Sequence, residues 1–166
     1  ALTEAVAEVS PEVVFHLAGQ SDVRQSWEDP AGTLKVNVEG TLNLLAAARS
    51  SGVKRVVAVT SADIYGSVAP ADLPIGEEAP LQPVSPYAVS KAAADLIALQ
   101  AHLGYGQDVV RARSFNHLGR GQSETTVCAA LAARIVANER SGNRVVRVGN
   151  LETRRDFTDV RDCLLY

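Results

Sequence analysis

Cysteine is scarce in this chain: Cys128 and Cys163 stand far apart, with no C-x-x-C pair and no zinc-like ligand set around either. That excludes a disulfide framework and leaves a metal site without support, and both residues read as reduced thiols of a cytoplasm. No apolar run approaches the roughly 20 residues that span a bilayer. Surplus positive charge is missing too, because 16 Lys and Arg face 19 Asp and Glu, a net charge of −3, and the basic residues are scattered and form no stripe. Nucleic acid and an anionic membrane are therefore not expected as partners. Internal repeats and low-complexity segments are also lacking.

What is present is an ordinary globular composition, 46% hydrophobic and 21% charged over 166 residues, enough for one substantial core. The stretches EVVFHLAG (12–19) and KRVVAVTS (54–61) are β-branched runs with little alternation, the pattern of strands buried on both faces of a parallel sheet. QDVVRARSF (107–115) fits a third strand less cleanly. Between the first two, Leu34, Val38, Leu42, Leu45 and Ala48 recur at helical spacing within Thr33 to Ser51, with Gly52 as the C-cap. Strand, helix, strand, helix, strand predicts right-handed βαβ units in an open α/β sheet, with ligands at the strand carboxyl ends. Those ends, LAGQS, TSADIYG and SFNHLGRG, are polar or glycine-bearing where each apolar run stops. Residues 66–85, rich in proline, form a long surface connection of the kind that borders a substrate pocket. Further on, the sequence predicts a helix over Thr125 to Arg140, a short strand RVVRVG (144–149) and a charged turn NLETRRDFTDV. The opening ALTEAVAEV reads as an amphipathic helix already under way and DVRDCLLY as a helix cut after two turns, so a fragment of a longer protein is expected.

The stretch SPYAVSK (85–91) raises a chemical possibility. Ser85 is a good N-cap, Pro86 suits the first helical position, and the run from Ala88 is rich in helix formers. Tyr87 and Lys91 then lie one turn apart on one face. An ammonium beside a phenol favours phenolate, which would bring a group of ordinary pKa near ~10 toward working pH as a proton donor or acceptor. The plain alternative is an exposed aromatic and a solvated lysine.

In order and spacing, VFHLAGQS, NVEGTLNLL, VVAVTSADIYG, SPYAVSK, RARSFNHLGRGQ and RRDFTDVRD resemble the extended short-chain dehydrogenases/reductases, the NAD-dependent epimerase/dehydratase family, over nearly the whole chain. FNHLGRGQ and VGNLETRRDFTDVRD are most similar to the GDP-4-keto-6-deoxy-mannose reductases, with the GDP-mannose 4,6-dehydratases as near relatives. The resemblance implies a Rossmann-like doubly wound parallel sheet. The family's G-x-x-G-x-x-G phosphate loop is absent from these residues, so the chain is expected to be a fragment without that N-terminal unit and without most of the substrate domain. Residues 1–122 would be the C-terminal part of the dinucleotide-binding domain with the catalytic helix, and 123–166 the start of the substrate-binding region.

By the same resemblance, Ser61, Tyr87 and Lys91 are the catalytic set. Tyr87 exchanges the proton, Ser61 orients the substrate oxygen, and Lys91 also bonds the nicotinamide ribose. Leu17, Ala18, Gly19, Asn37, Thr60 and Ser114 join Tyr87 and Lys91 in holding NAD(P). A glycine at 19 would let the backbone approach a flat cofactor, while Asn37 could equally be a capping or solvated residue. Ser61, Asp63, Asn116 and Arg155 would meet a nucleotide-sugar substrate. A guanidinium forks well onto phosphate oxygens, and Arg154 is the alternative to Arg155. Many relatives carry polar or acidic residues at both positions after the serine, whereas here one is Ala62, which tilts the reading from dehydration toward reduction. His16, His102 and His117 read as ordinary residues with no ligand spacing.

The expected activity is NAD(P)H-dependent reduction of a 4-keto-6-deoxy nucleotide sugar by a cytoplasmic enzyme, homodimeric at full length. Dehydration of GDP-mannose and 4-epimerisation of a nucleotide sugar use the same three residues and stay open. A non-catalytic nucleotide-binding module or an inactive fragment is the reading from another class, and the intact Ser61, Tyr87 and Lys91 set speaks against the module.

Overall fold

A computed structural model describes residues 1–163. Leu164, Leu165 and Tyr166, which the sequence places in a terminal helix, lie outside the described residues. The chain divides into two compact units, Ala1–Ser114 and Phe115–Tyr166. The division falls after Ser114, ahead of the boundary at 122 expected from sequence, because the third strand and the polar residues at its end pack with the first unit.

In the first unit, strands β1 (Val13–His16), β2 (Arg55–Val59) and β3 (Val109–Ala112) form a parallel sheet in that order. The register pairs Phe15 with Val57 and Val57 with Val110. Helix α1 (Leu2–Val9) precedes β1; α2 (Val23–Glu28), α3 (Pro30–Leu34), a π-helical turn (Lys35–Glu39) and α4 (Gly40–Ser50) join β1 to β2. A 3₁₀ turn (Ala62–Tyr65), the long connection and α5 (Pro86–Tyr105) lead to β3. The core lies on one face of the sheet, where Val56 and Ala58 meet Leu45 and Ala48 of α4 and Ala98 and Ala101 of α5. Small residues on both helices let them approach the strands closely.

Two expectations about these elements are corrected. The strands are not covered on both faces: Val13, Phe15 and Val110 on the other face are exposed, Phe15 by 67%. A run of β-branched residues shows that a strand can be buried on both faces, while the helices present decide which faces are. The single helix expected over 33–51 starts earlier, at Pro30, with the Asp29 carboxylate accepting from the Gly32 amide at 2.8 Å, and it is interrupted by the π turn.

The second unit holds β4 (Asn116–Leu118), α6 (Val127–Ser141), β5 (Phe157–Asp159) and α7 (Val160–Cys163), with β4 and β5 paired in parallel. The expected strand at 144–149 does not form. Side chains of α6 take up backbone carbonyls there: Arg134 donates to the Arg147 carbonyl at 3.0 Å and Asn138 to that of Val145 at 2.7 Å. The supposed charged turn, conversely, contains β5. No helix among the described residues is long and apolar enough to cross a membrane.

Candidate active site

Because β1, β2 and β3 run parallel, their carboxyl ends share one edge of the sheet. The strands stop at His16, Val59 and Ala112, so Leu17–Gly19, Thr60–Ser61 and Ser114 follow directly at that edge. The Ala62 amide donates to the Ser114 carbonyl at 2.8 Å, joining two of these ends. Helix α5 starts with the local chemistry its sequence dictates: the Ser85 hydroxyl accepts from the Ala88 amide at 3.1 Å and Pro86 occupies the first turn. That start delivers Tyr87 and Lys91 to the site.

Asn37 ties the first strand end to this helix. It is buried within the π turn, a helix irregularity often found at functional sites. Its side-chain oxygen accepts from the Gln20 amide at 2.8 Å, while its Nδ2 donates to the Gln20 carbonyl at 3.0 Å and to Ser90 Oγ at 2.8 Å. Ser90 in turn donates to the Tyr87 carbonyl at 2.7 Å. Asn37 is thus neither a cap nor a solvated residue. Gly19 sits against the same cluster, and a Cβ there would meet Asn37 Oδ1 at 2.9 Å and Lys91 Nζ at 3.6 Å. Only a residue without a side chain keeps this backbone flush with both groups.

Lys91 donates to the Val59 carbonyl at 3.1 Å, and burial lowers its pKa. His16, read from sequence as ordinary, is half-buried near it. Its Nε2 lies 3.0 Å from Thr41 Oγ1, and the Thr41 hydroxyl lies 2.6 Å from the Asn37 carbonyl. Burial, with the Lys91 charge adding to it, pushes the imidazole pKa down.

Tyr87 is buried, and the direction of its pKa corrects the sequence expectation. Burial pushes the phenol above its ordinary value; the Ser61 hydroxyl lowers it by less and the Asp63 carboxylate raises it further. Desolvation is the largest influence on the phenol, and the Lys91 ammonium is engaged with the Val59 carbonyl. Ser61 caps the 3₁₀ turn, its hydroxyl accepting from the Asp63 amide at 3.2 Å. Asp63 itself is exposed.

Thr60 faces inward, away from the edge: it is buried, its amide donates to the Ala112 carbonyl at 2.8 Å and its hydroxyl lies 3.3 Å from Asp95. The Ser114 hydroxyl lies 3.5 Å from the Thr60 carbonyl. Beneath them is a cluster that the reading of motifs missed, built on Asp95, Arg111, Arg113 and Tyr65. Two signals pointed to it: Asp95 continues the four-residue spacing of Tyr87 and Lys91, and Arg111 and Arg113 alternate on one face of an apolar strand.

In the second unit, Asn116 Nδ2 donates to the Asp156 carbonyl at 3.1 Å, holding β4 to the start of β5. The exposed Arg155 guanidinium donates to the Arg154 carbonyl at 2.8 Å. The fold thus gathers Ser61, Asp63, Tyr87, Lys91, Gly19, Asn37 and Ser114 in one unit, while Asn116 and Arg155 belong to the other. Among the described residues no group of three His, Cys, Asp or Glu side chains is arranged to hold a metal ion.

Comparison with known proteins places the chain in a family. The family model described as GDP-mannose 4,6 dehydratase matches residues 1–165. The chain is 46% identical over 157 residues to GDP-6-deoxy-D-mannose reductase of Pseudomonas aeruginosa, covering 93% of this chain and 51% of that protein. It is 33% identical to GDP-mannose 4,6-dehydratase of Yersinia enterocolitica, covering 97% of this chain and 44% of that one. Among solved structures, RMD from Pseudomonas aeruginosa complexed with NADPH superposes with a TM-score of 0.84 at 45% identity, over 92% of this chain and 54% of that one. The UDP-glucose 4-epimerase of Thermus thermophilus in complex with NAD gives 0.85 at 33% identity, over 98% and 53%. The chain spans about half the length of the relatives it matches.

Proposed function

Because the chain belongs to the GDP-mannose 4,6-dehydratase family of the extended short-chain dehydrogenases/reductases, we propose that the protein carrying it is an NAD(P)H-dependent reductase of a 4-keto-6-deoxy nucleotide sugar, of the GDP-4-keto-6-deoxy-mannose type. The observation that carries this reading is the placement of the buried Tyr87 phenol at the start of α5, next to Ser61 at the strand-end edge of the sheet, where a proton donor to a ketone oxygen has to stand. The residues at the strand ends fit a dinucleotide: Gly19 leaves the backbone open, and Lys91 spends one N–H on Val59, leaving others for ribose hydroxyls. When bound, NAD(P)H supplies the hydride. Ser61 Oγ holds the substrate carbonyl oxygen, and the Tyr87 hydroxyl gives its proton to that oxygen as the alcohol forms. Lys91 then stabilises the tyrosinate left behind until solvent returns the proton. Asn37 fixes the helix turn and the strand end on which these groups stand.

Arg155, with Asn116 at the neighbouring strand, is the proposed contact for the substrate's diphosphate. Two unpaired thiols fit a cytoplasmic setting, and the outward apolar residues Leu42, Leu96 and Leu103 of α4 and α5 fit a homodimer. Dehydration is the second reading, favoured by the Asp63 carboxylate close enough to act on Tyr87. The full-length protein, given a 4-keto-6-deoxy nucleotide sugar and NADPH or NADH, is expected to oxidise the cofactor in step with loss of the ketone. Consumption of GDP-mannose without added reductant, and no oxidation of NAD(P)H, would replace reduction with dehydration.

A further inference from the structure

The proposed chemistry makes no use of a densely bonded charged cluster in the first unit. Asp95 of α5 is wholly buried. Its carboxylate receives Arg111 Nη1 at 2.7 Å on one oxygen, and Arg113 grips both oxygens, Nε at 3.0 Å and Nη2 at 2.8 Å. Two guanidiniums on one carboxylate leave a positive charge over, and Arg113 directs it outward: Nη1 donates to the Glu77 carbonyl at 2.6 Å and to the Tyr65 hydroxyl at 2.8 Å. Arg113 thereby touches α5, the 3₁₀ turn that follows Ser61, and the long 66–85 connection at once. That connection has a second fastening, where the Gln82 amide donates to the Ile64 carbonyl at 2.9 Å. Gly66 permits it, since a Cβ there would lie 2.0 Å from the Gln82 carbonyl oxygen and the residue has φ of 68°.

A buried ion pair is weak as a source of stability, because packed apolar residues of similar volume can do as well. Its particular asset is direction, and a bidentate fork fixes both angle and distance. The connection held by Arg113 ends at Ser85, the cap of the helix that presents Tyr87. Slack at Glu77 therefore reaches the first turn of α5, while slack at Tyr65 reaches Ser61.

We propose that Asp95 and Arg113 are positioning residues of the active site, holding the Ser61 turn and the 66–85 connection in register with Tyr87. The part that concerns catalysis rests on the reductase reading; the anchoring itself does not. Arg113→Lys keeps the charge and removes the fork, and Tyr65→Phe keeps the ring and removes one link, so both leave the core filled. In the full-length protein, a glutamate-specific protease is expected to cut at Glu77 or Glu78 about tenfold faster in Arg113→Lys, as the connection opens more often. With NADPH and the 4-keto nucleotide sugar, kcat per cofactor-binding site should fall about 10- to 100-fold, with cofactor affinity within about twofold of wild type. Tyr65→Phe should move both readouts the same way and by less. Unchanged cleavage overturns the anchoring. A lowered melting temperature with unaltered kcat per cofactor-binding site overturns the positioning role and leaves a stability role only. If the wild type reduces no keto sugar, the functional reading falls, and the cleavage arm still decides whether Arg113 holds the connection.

Discussion

Helices α5 and α6 are both rich in alanine and aliphatic residues, yet they occupy opposite conditions in the fold. In α5, Tyr87, Ala88, Ser90, Ala92, Ala94, Asp95, Ala98 and Ala101 are buried, while no residue of α6 is fully buried. The difference lies in partners, since helix propensity is similar in both. Every fourth residue along one line of α5 is engaged outside the helix: Tyr87 near Ser61, Lys91 on Val59, Asp95 on Arg111 of β3 and on Arg113 just after it. In α6, Arg134 and Asn138 reach carbonyls of the segment that follows the helix, and Ser141 bonds back to the Asn138 carbonyl of the helix itself. A helix carries a site when polar residues on its core-facing side have fixed partners. Substitutions on the two units should differ in kind as well as in size.

The largest difference is expected from Tyr87→Phe in the full-length protein, which on the proposed chemistry should lower kcat by about two to four orders of magnitude with cofactor affinity little changed. Steady-state rates beside NADPH binding measure this, and normal turnover would remove Tyr87 from the mechanism. Arg155→Ala in the second unit should instead raise KM for the nucleotide sugar roughly 10- to 100-fold, the value of a charged hydrogen bond to phosphate, with kcat near wild type. A fall in kcat alone would detach Arg155 from phosphate binding. Packing gives the next contrast. Ala98→Leu fills a fully buried position between α5 and the sheet and should destabilise the 166-residue chain by about 1–3 kcal/mol. Ala137→Leu on the exposed side of α6 should stay within about 0.5 kcal/mol. Urea denaturation of the two variants decides, and equal losses would erase the distinction between the helices.

The same contrast explains how much could be read in advance. The start of α5 was legible because Ser85 and Pro86 act locally, and the shared edge of Gly19, Ser61 and Ser114 followed from polar breaks after three apolar runs. The resemblance to extended short-chain dehydrogenases/reductases added roles that spacing alone could not supply. Features set by distant pairing were not legible. Arg113 meets Glu77 and Tyr65 far along the chain, and β4 meets β5 across 40 residues with only three residues on each strand. The Tyr87–Lys91 spacing does mark one helical face, but the sign of the pKa shift depends on burial and on where the ammonium points, neither of which spacing contains.

The smallest effect concerns a group next to Lys91, and it has a definite sign. His16 is held below its ordinary pKa of 6.5, by burial first and the Lys91 charge second. Between its folded value and 6.5 the unfolded chain binds more protons at this position than the folded chain does, so stability rises with pH across that window. Read downward, the contribution is intact above about pH 6.5 and is lost as pH falls through the folded pKa. Replacement by glutamine removes the titration while leaving an amide able to face Thr41. Melting temperatures of the full-length protein measured from about pH 5 to 7.5 should therefore climb more steeply in the wild type than in His16→Gln, with the curves converging in slope above pH 6.5. Parallel curves throughout would mean that His16 titrates as an ordinary exposed imidazole, and that the ammonium of Lys91 is screened from its neighbour at the strand end.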